Sequence, residues 1–294
     1  MDFITDPNIT ITQGQKFSLS DHSTNYTASI SSDKEAKKLL KSANKRIYDL
    51  QRKLYASDNH SVLCVFQAMD AAGKDSTVSS VFTGVNPAGF QVTSFKAPSK
   101  LELDHDFLWR CSKAVPSRGM IGLFNRSHYE EVLVCKVHPE YVVGQNIPGV
   151  SDVSQLTEDF WNNRYESIAS WEKHLVANGT VILKFFLNVG KDEQKARFMS
   201  RIENVNKNWK FNFGDMKERA LWPKYMDAYQ TAIQKTATQD TPWYVIPADS
   251  KPVMRAIVAN IVADKLESLN LNYPSVGQKH KDEMAEAKKI LENE

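Results

Sequence analysis

Residues 62–66 read Val-Leu-Cys-Val-Phe, an apolar run with β-branched side chains, and the chain from Lys74 onward is helix-like. Between them lies a short turn, Gln67 to Gly73, so that Leu63–Thr77, LCVFQAMDAAGKDST, reads as a buried strand, a tight loop and the start of a helix. The loop resembles the phosphate-binding pattern G-x-x-x-x-G-K-[ST], in which backbone N–H groups and a helix N-terminus face an anion and a lysine adds charge. Two positions depart from it. Ala68 stands where the first Gly belongs, and Asp75 where the Ser/Thr belongs, with Ser76 one place later. An ordinary strand-to-helix turn ending in Gly-Lys is the competing reading.

The chain has 294 residues, 41% of them hydrophobic, enough for a sizeable core. It contains no run of 18 or more apolar residues, so no membrane span is expected. The polar, acidic N-terminus is unlike a secretory signal. Cys64, Cys111 and Cys135 are widely spaced and odd in number, as expected of buried thiols in a cytoplasmic protein. Thirty-seven basic against thirty-five acidic residues give a net charge of only +2. That argues against a nucleic-acid binder and confines any polyanion site to a local basic patch.

Residues 1–31 show no period and read as an irregular arm. Ser32 and Glu35 fit a capping box for a helix whose apolar face includes Ala36, Leu39, Ala43, Ile47 and Leu54. The basic outer face of that helix, Lys34 to Lys53, reads as solvated. Further strands are expected at 89–95, 120–124, 180–186 and 243–246, and helices at 74–83, 99–114, 128–138, 156–177, most of 191–234, and 250–268. The charged residues 275–294 form a tail, read as a loose helix. Five buried strands separated by helices predict an α/β fold with a five-stranded parallel sheet, and ligands then sit at the carboxyl ends of the strands. Those ends carry Asp70, Gly73 and Lys74, then Lys96, then Asn125-Arg126-Ser127, then the segment after Lys184.

Together, FQAMDAAGKDST, FKAPS, ELDHDFLWR and IGLFNRSHYEEVLVCKVHPE resemble the polyphosphate kinase 2 family over about residues 30–274. The resemblance implies a P-loop kinase-like three-layer α/β/α domain over 32–274, with a helical lid at about 191–224. It implies phosphoryl transfer from inorganic polyphosphate to AMP and ADP, giving ADP and ATP, with Mg2+, in a homo-oligomer. Asn125, where relatives often carry Asp, and the EEVLVCKVHPE continuation look like the class III group, which uses both mono- and diphosphates. Two other functions remain in competition: an ATP-dependent nucleotide kinase, and a non-catalytic polyanion binder with a decayed loop.

Phosphoryl transfer needs positioning and charge neutralisation more than covalent help. Lys74 and Arg126 are expected to contact phosphates, with the backbone of Ala71, Ala72 and Gly73 as a cradle and Asp75 and Ser76 in the first helical turn. A carboxylate beside phosphates suits a Mg2+ ligand, and the resemblance implies the same for Asp70; a helix cap is the alternative. Asn125 and Glu130 are candidates for nucleotide contact. Lys96, Arg118, Lys184, Arg197 and Arg201 are expected to line a polyanion channel, the last two sharing a helical face.

Overall fold

The computed structural model describes residues 2–294. Its strands are β1 (Thr10–Ile11), β2 (Ser61–Gln67), β3 (Phe90–Ser94), β4 (Ile121–Asn125), β5 (Thr180–Asn188) and β6 (Trp243–Pro247). They form one sheet in the order β1-β6-β5-β2-β4-β3. All neighbours run parallel except β1, which pairs antiparallel with β6 through Thr10–Tyr244 and Ile11–Trp243. From β2 the chain crosses to β3 and β4 on one side, then to β5 and β6 on the other. That makes the carboxyl end of β2 the switch point of the sheet.

Among the described residues the α-helices are α1 (Asp33–Ser57), α2 (Lys74–Val81), α3 (Lys100–Leu103), α4 (Trp109–Ser112), α5 (Val134–Val137), α6 (Glu140–Val143), α7 (Glu158–Ala177), α8 (Lys191–Glu203), α9 (Gly214–Ala220), α10 (Trp222–Thr236), α11 (Lys251–Ser268) and α12 (Gln278–Glu292). Helix α1 packs along α11 and α2, while α7 packs on β5 and α10. Arg46, on the basic face of α1, reaches across to Asp264 and Glu267 of α11. Lys34, Lys37, Lys38, Lys41 and Lys45 remain exposed. At the start of α1 the Ser32 hydroxyl accepts from the Glu35 N–H at 3.2 Å, but Glu35 turns back to Ser31 rather than to Ser32. The capping box expected there is thus displaced by one residue on its return bond.

Several expectations need correction. The arm at 2–31 is not an irregular lead-in: Phe3, Ile9, Ile11, Phe17, Leu19, Ala28 and Ile30 are buried, and β1 gives the sheet a sixth strand. The helix expected at 99–114 is two short ones, α3 and α4, with Leu101 exposed. Residues 128–138 hold a 3-10 turn at His128–Glu131 and one turn of α5, because Val132, Val134 and Val137 resist a continuous helix. The edge strand β3 is largely exposed rather than buried. The three cysteines are free and buried, and no helix among the described residues is long and apolar enough to cross a membrane.

Lys184 is the largest correction. Strand β5 runs on to Asn188, so Lys184 sits mid-sheet opposite Val65 and Trp243 and is fully buried. Its ammonium donates to Glu172 Oε2 at 2.6 Å, to the Thr236 carbonyl at 2.8 Å and to the Tyr129 hydroxyl at 3.2 Å. Burial pulls the Lys184 pKa down, and Glu172 opposes that shift. No channel reaches this lysine; it is half of a satisfied ion pair. Removing one partner of such a pair strands the other charge. Lys184→Met should therefore lower the unfolding free energy by about 3–5 kcal/mol, and adding Glu172→Gln should recover part of the loss. Chemical denaturation of the single and double variants checks this, and a fully stable Lys184→Met protein would refute it.

Candidate active site

The loop after β2 is organised by what its carbonyls bind. The Asp70 oxygen accepts from Gln194 Nε2 at 2.9 Å. The Ala71 and Ala72 oxygens accept from one Arg197 nitrogen, at 3.2 and 2.6 Å. The Gly73 oxygen accepts from the Thr77 hydroxyl at 2.9 Å and from the Thr77 N–H at 3.0 Å. Four successive carbonyls are thus turned toward α8 and α2. The N–H groups of Ala71, Gly73, Lys74, Asp75 and Ser76 have no hydrogen-bond partner among the described residues. The result is a row of free donors at the start of α2, the arrangement that receives an anion.

This orientation carries strain. Gly73 has φ +105°, but Ala71 also sits in the left-handed region at φ +59°, which costs an L-residue about 1–2 kcal/mol. The same is true of Arg126, φ +63°, on the facing loop. Left-handed residues with side chains persist only where the surroundings hold them, and here both lie in one cleft.

Lys74 Nζ donates to the Ala68 carbonyl at 2.8 Å, across the mouth of the loop. Burial pushes its pKa down, and the Asp70 carboxylate opposes the shift. Arg126 donates to Asp70 Oδ1 at 3.1 Å and lies 3.9 Å from Glu130. Burial raises the Glu130 pKa against the pull of Arg126 and Lys74. From the segment above, Asp215 enters the same cleft; burial and then the charge of Asp70 raise its pKa, with Arg201 opposing. Glu218 also lines the cleft. Burial works against its ionisation, but hydrogen bonds from Tyr225 and His138 outweigh it and hold its pKa below the ordinary value.

The structure brings Asp70, Lys74, Arg126 and Glu130 together, with the backbone of Ala71, Ala72 and Gly73. Lys96, at the end of β3, lines an adjoining hollow with Arg126 and Glu130. Ser76 bonds back to the Gly73 carbonyl at 3.0 Å. Asn125 is elsewhere: its amide donates to Asp75 Oδ1 at 2.7 Å, and the two line a separate hollow beside β3. Arg118 is exposed and bonds the Asn178 carbonyl at 3.3 Å, before β4 and β5 begin. It therefore sits at the amino ends of the strands, opposite the loop. Arg197 is buried under the loop, and Arg201 pairs with Asp215 at 3.3 Å rather than standing beside Arg197 as a free cation.

Sequence reasoning missed Gln194, Asp215, Glu218, Lys251 and Arg255. The last two open α11, directly after β6, so the strand-end rule that flagged Lys96 applied to them too. Burial lowers the Lys251 pKa, followed by repulsion from Arg197, and Lys207 and Arg255 add to it. Arg255 Nε is itself buried without a partner. These four cations form a cluster on the α11 side of the loop.

A free N–H row at the switch point of a parallel sheet, a lysine across it and an arginine–carboxylate set facing it under helices 191–236 define a phosphate-loop kinase type of site. The chain belongs to the polyphosphate kinase 2 family: the family model, polyphosphate kinase 2 (PPK2), matches residues 29–274. It is 45% identical over 279 residues to the ADP-polyphosphate phosphotransferase of Rhodopseudomonas palustris, covering 95% of this chain and 96% of that one. It is likewise 45% identical over 231 residues to the AMP/ADP-polyphosphate phosphotransferase of Meiothermus ruber, covering 79% and 81%. The crystal structure of polyphosphate kinase 2 from Arthrobacter aurescens TC1 superposes with a TM-score of 0.87 at 37% identity, covering 98% of this chain and 99% of that one.

The Asn125–Asp75 contact can be tested without substrate. Asn125→Asp sets two carboxylates at hydrogen-bond distance, so one of them is forced to hold its proton to a raised pKa. A raised folded-state pKa gives stability that is present at low pH and lost as pH rises through it. The variant should be less stable than the parent by about 1 kcal/mol at neutral pH, allowing for the exposure of Asp75. The gap should close toward about pH 4 and vanish when Asp75→Asn is added. Thermal unfolding across pH measures it; a gap independent of pH would count against the contact.

Proposed function

We propose that this protein transfers a phosphoryl group from inorganic polyphosphate to a nucleotide, taking AMP and ADP as acceptors and giving ADP and ATP. The observation that carries the reading is the convergence of Asp70, Lys74 and Arg126 on a loop whose N–H groups are free. The relatives named as AMP/ADP- and ADP-polyphosphate phosphotransferases support polyphosphate as donor. The Asn125-bearing FNRS stretch, similar to class III, supports both acceptor lengths.

In this reading the N–H row and Lys74 neutralise charge on the transferred group, and Arg126 clamps phosphate oxygens through its fork. Closure of α9 and α10 over the cleft excludes water as a competing acceptor. A divalent cation fits the donor set. Asp70 and Asp215 line one cleft, and after burial the charge of Asp70 raises the Asp215 pKa, a repulsion a cation would relieve. Mg2+ characteristically takes one or two carboxylates and completes its shell with substrate phosphates and water. Asp70 would hold it, and a bound ion would supply charge neutralisation for the transferred group. The chain of phosphates in the donor would run over Lys251, Arg255 and Lys207, beside the Arg197–Glu193 pair, with Glu193 the carboxylate in their midst.

The direct test is product analysis with polyphosphate as the sole phosphoryl source. ADP should yield ATP with no ATP supplied, and AMP should yield ADP first and ATP later. Failure with polyphosphate but turnover with ATP as donor would make it an ordinary nucleotide kinase. Asp70→Asn should retain the fold and lose roughly 10²–10³ in rate; near-normal turnover would leave Asp70 only its pairing with Arg126. Lys251→Ala with Arg255→Ala should reduce the salt dependence of polyphosphate binding by about two units of log–log slope, by analogy with counterion release from nucleic acids. Arg118→Ala, at the far end of the sheet, should leave that slope unchanged.

A further inference from the structure

Gln194 is 1% exposed, and both ends of its amide are used. Its Nε2 donates to the Asp70 carbonyl at 2.9 Å, and its Oε1 accepts from Arg219 at 2.7 Å. The orientation of this amide is dictated by its partners, because a carbonyl only accepts and a guanidinium only donates. Arg219 lies on α9, the element that also carries Asp215 and Glu218 into the cleft. Its same nitrogen bonds the Lys191 carbonyl at 2.7 Å. Arg219 is thus a direct tie from α9 to α8, and Gln194 passes that tie on to the residue whose side chain pairs with Arg126.

We propose that Gln194 is a positioning residue that couples docking of the α9 lid segment to the geometry of the phosphate loop. The Asp70 carbonyl immediately precedes Ala71, the left-handed residue of the loop. Holding this oxygen toward α8 fixes the peptide plane that turns the Ala71 N–H into the cleft. When α9 is docked, Arg219 fixes the amide and the amide fixes the peptide. When α9 swings away, the amide loses the partner that orients it, and the loop loses one of the three side-chain bonds holding its carbonyls at Asp70, Ala71 and Ala72. Arg197 retains the other two, so the loop loosens without collapsing. Closure over the nucleotide would thereby complete the anion site only when the lid is down.

The assignment of a catalytic consequence rests on the phosphoryl-transfer reading, so the test has an arm that does not. Gln194→Met and Arg219→Met each remove the relay with little change in volume. In limited trypsin digestion, both should speed cleavage at the exposed lid lysines Lys207, Lys210 and Lys217, and the double variant should be no faster than the quicker single. Cleavage spread over the whole chain would instead mean general unfolding and would overturn the proposal. In turnover, each single should lose about tenfold in kcat/KM, and the double about the same tenfold rather than a hundredfold, as two members of one chain do. Gln194→Glu separates the two ends of the relay: it keeps the contact to Arg219 but cannot donate to the Asp70 carbonyl. It should hold the lid as resistant to trypsin as the parent and keep KM for the nucleotide while kcat falls. Losses that multiply in the double variant, or a Gln194→Glu protein with unchanged kcat, would overturn the coupling. An inactive parent protein would instead refute the phosphoryl-transfer reading and leave the proteolysis result standing.

Discussion

A peptide unit has a donor on one edge and an acceptor on the other, and only one edge can face an anion. The rest of this site depends on where the phosphate loop sends the edge it does not use. Helix α8 takes three consecutive carbonyls through Gln194 and Arg197. Arg197 continues past the loop to the Ala248 and Asp249 carbonyls after β6, at 2.6 and 3.2 Å. One guanidinium therefore fastens the end of β2 to the end of β6, and a residue type usually met on phosphates is spent on four backbone carbonyls and on Glu193, which accepts from its Nε at 2.7 Å. That arrangement makes a left-handed alanine tolerable at the centre of the loop.

The facing loop is held from beneath in a different way. His128 and Tyr129 follow Arg126 after one residue, Ser127, and both reach Glu172 of α7, at 3.2 and 2.7 Å. Glu172 in turn neutralises Lys184 of β5. Ser127 is tied to Gln67, the last residue of β2, at 3.0 Å. The backbone from which Arg126 and Glu130 project is thus anchored to a buried charged cluster closed to solvent. A side chain of one loop and the backbone of the other meet in the cleft because both rest on the same sheet.

The strand, turn and helix around Lys74 were legible because β-branched runs and Gly-Lys are local signals. The docked arm was not: Phe3, Ile9, Phe17 and Leu19 have no common period, and the β1 pairing that seats the arm is to residues more than two hundred positions away. Lys184 misled for a related reason. A lone lysine inside TVILKFFLN looks like a strand end, whereas its counter-charge, Glu172, sits on a preceding helix with the look of a surface residue. A charged residue flanked on both sides by apolar ones was itself the available sign of a buried pair. Arg118 was placed by residue type alone, and the direction of β4 puts it at the wrong end. Gln194 was invisible, since a glutamine on a basic helix carries no mark of the carbonyl it serves.

Strand β1 also bears on how the chain comes together. Its partners are Trp243 and Tyr244 of β6, so β1 has nothing to pair with until the last of the six strands has been made. On a ribosome the arm, with its phenylalanines and isoleucines, emerges early and waits while the central sheet assembles beside it. Helix α11, which covers α1, arrives later still. The arm and β6 are therefore joined late, and the growing chain carries a sticky, unpaired β1 through most of its synthesis.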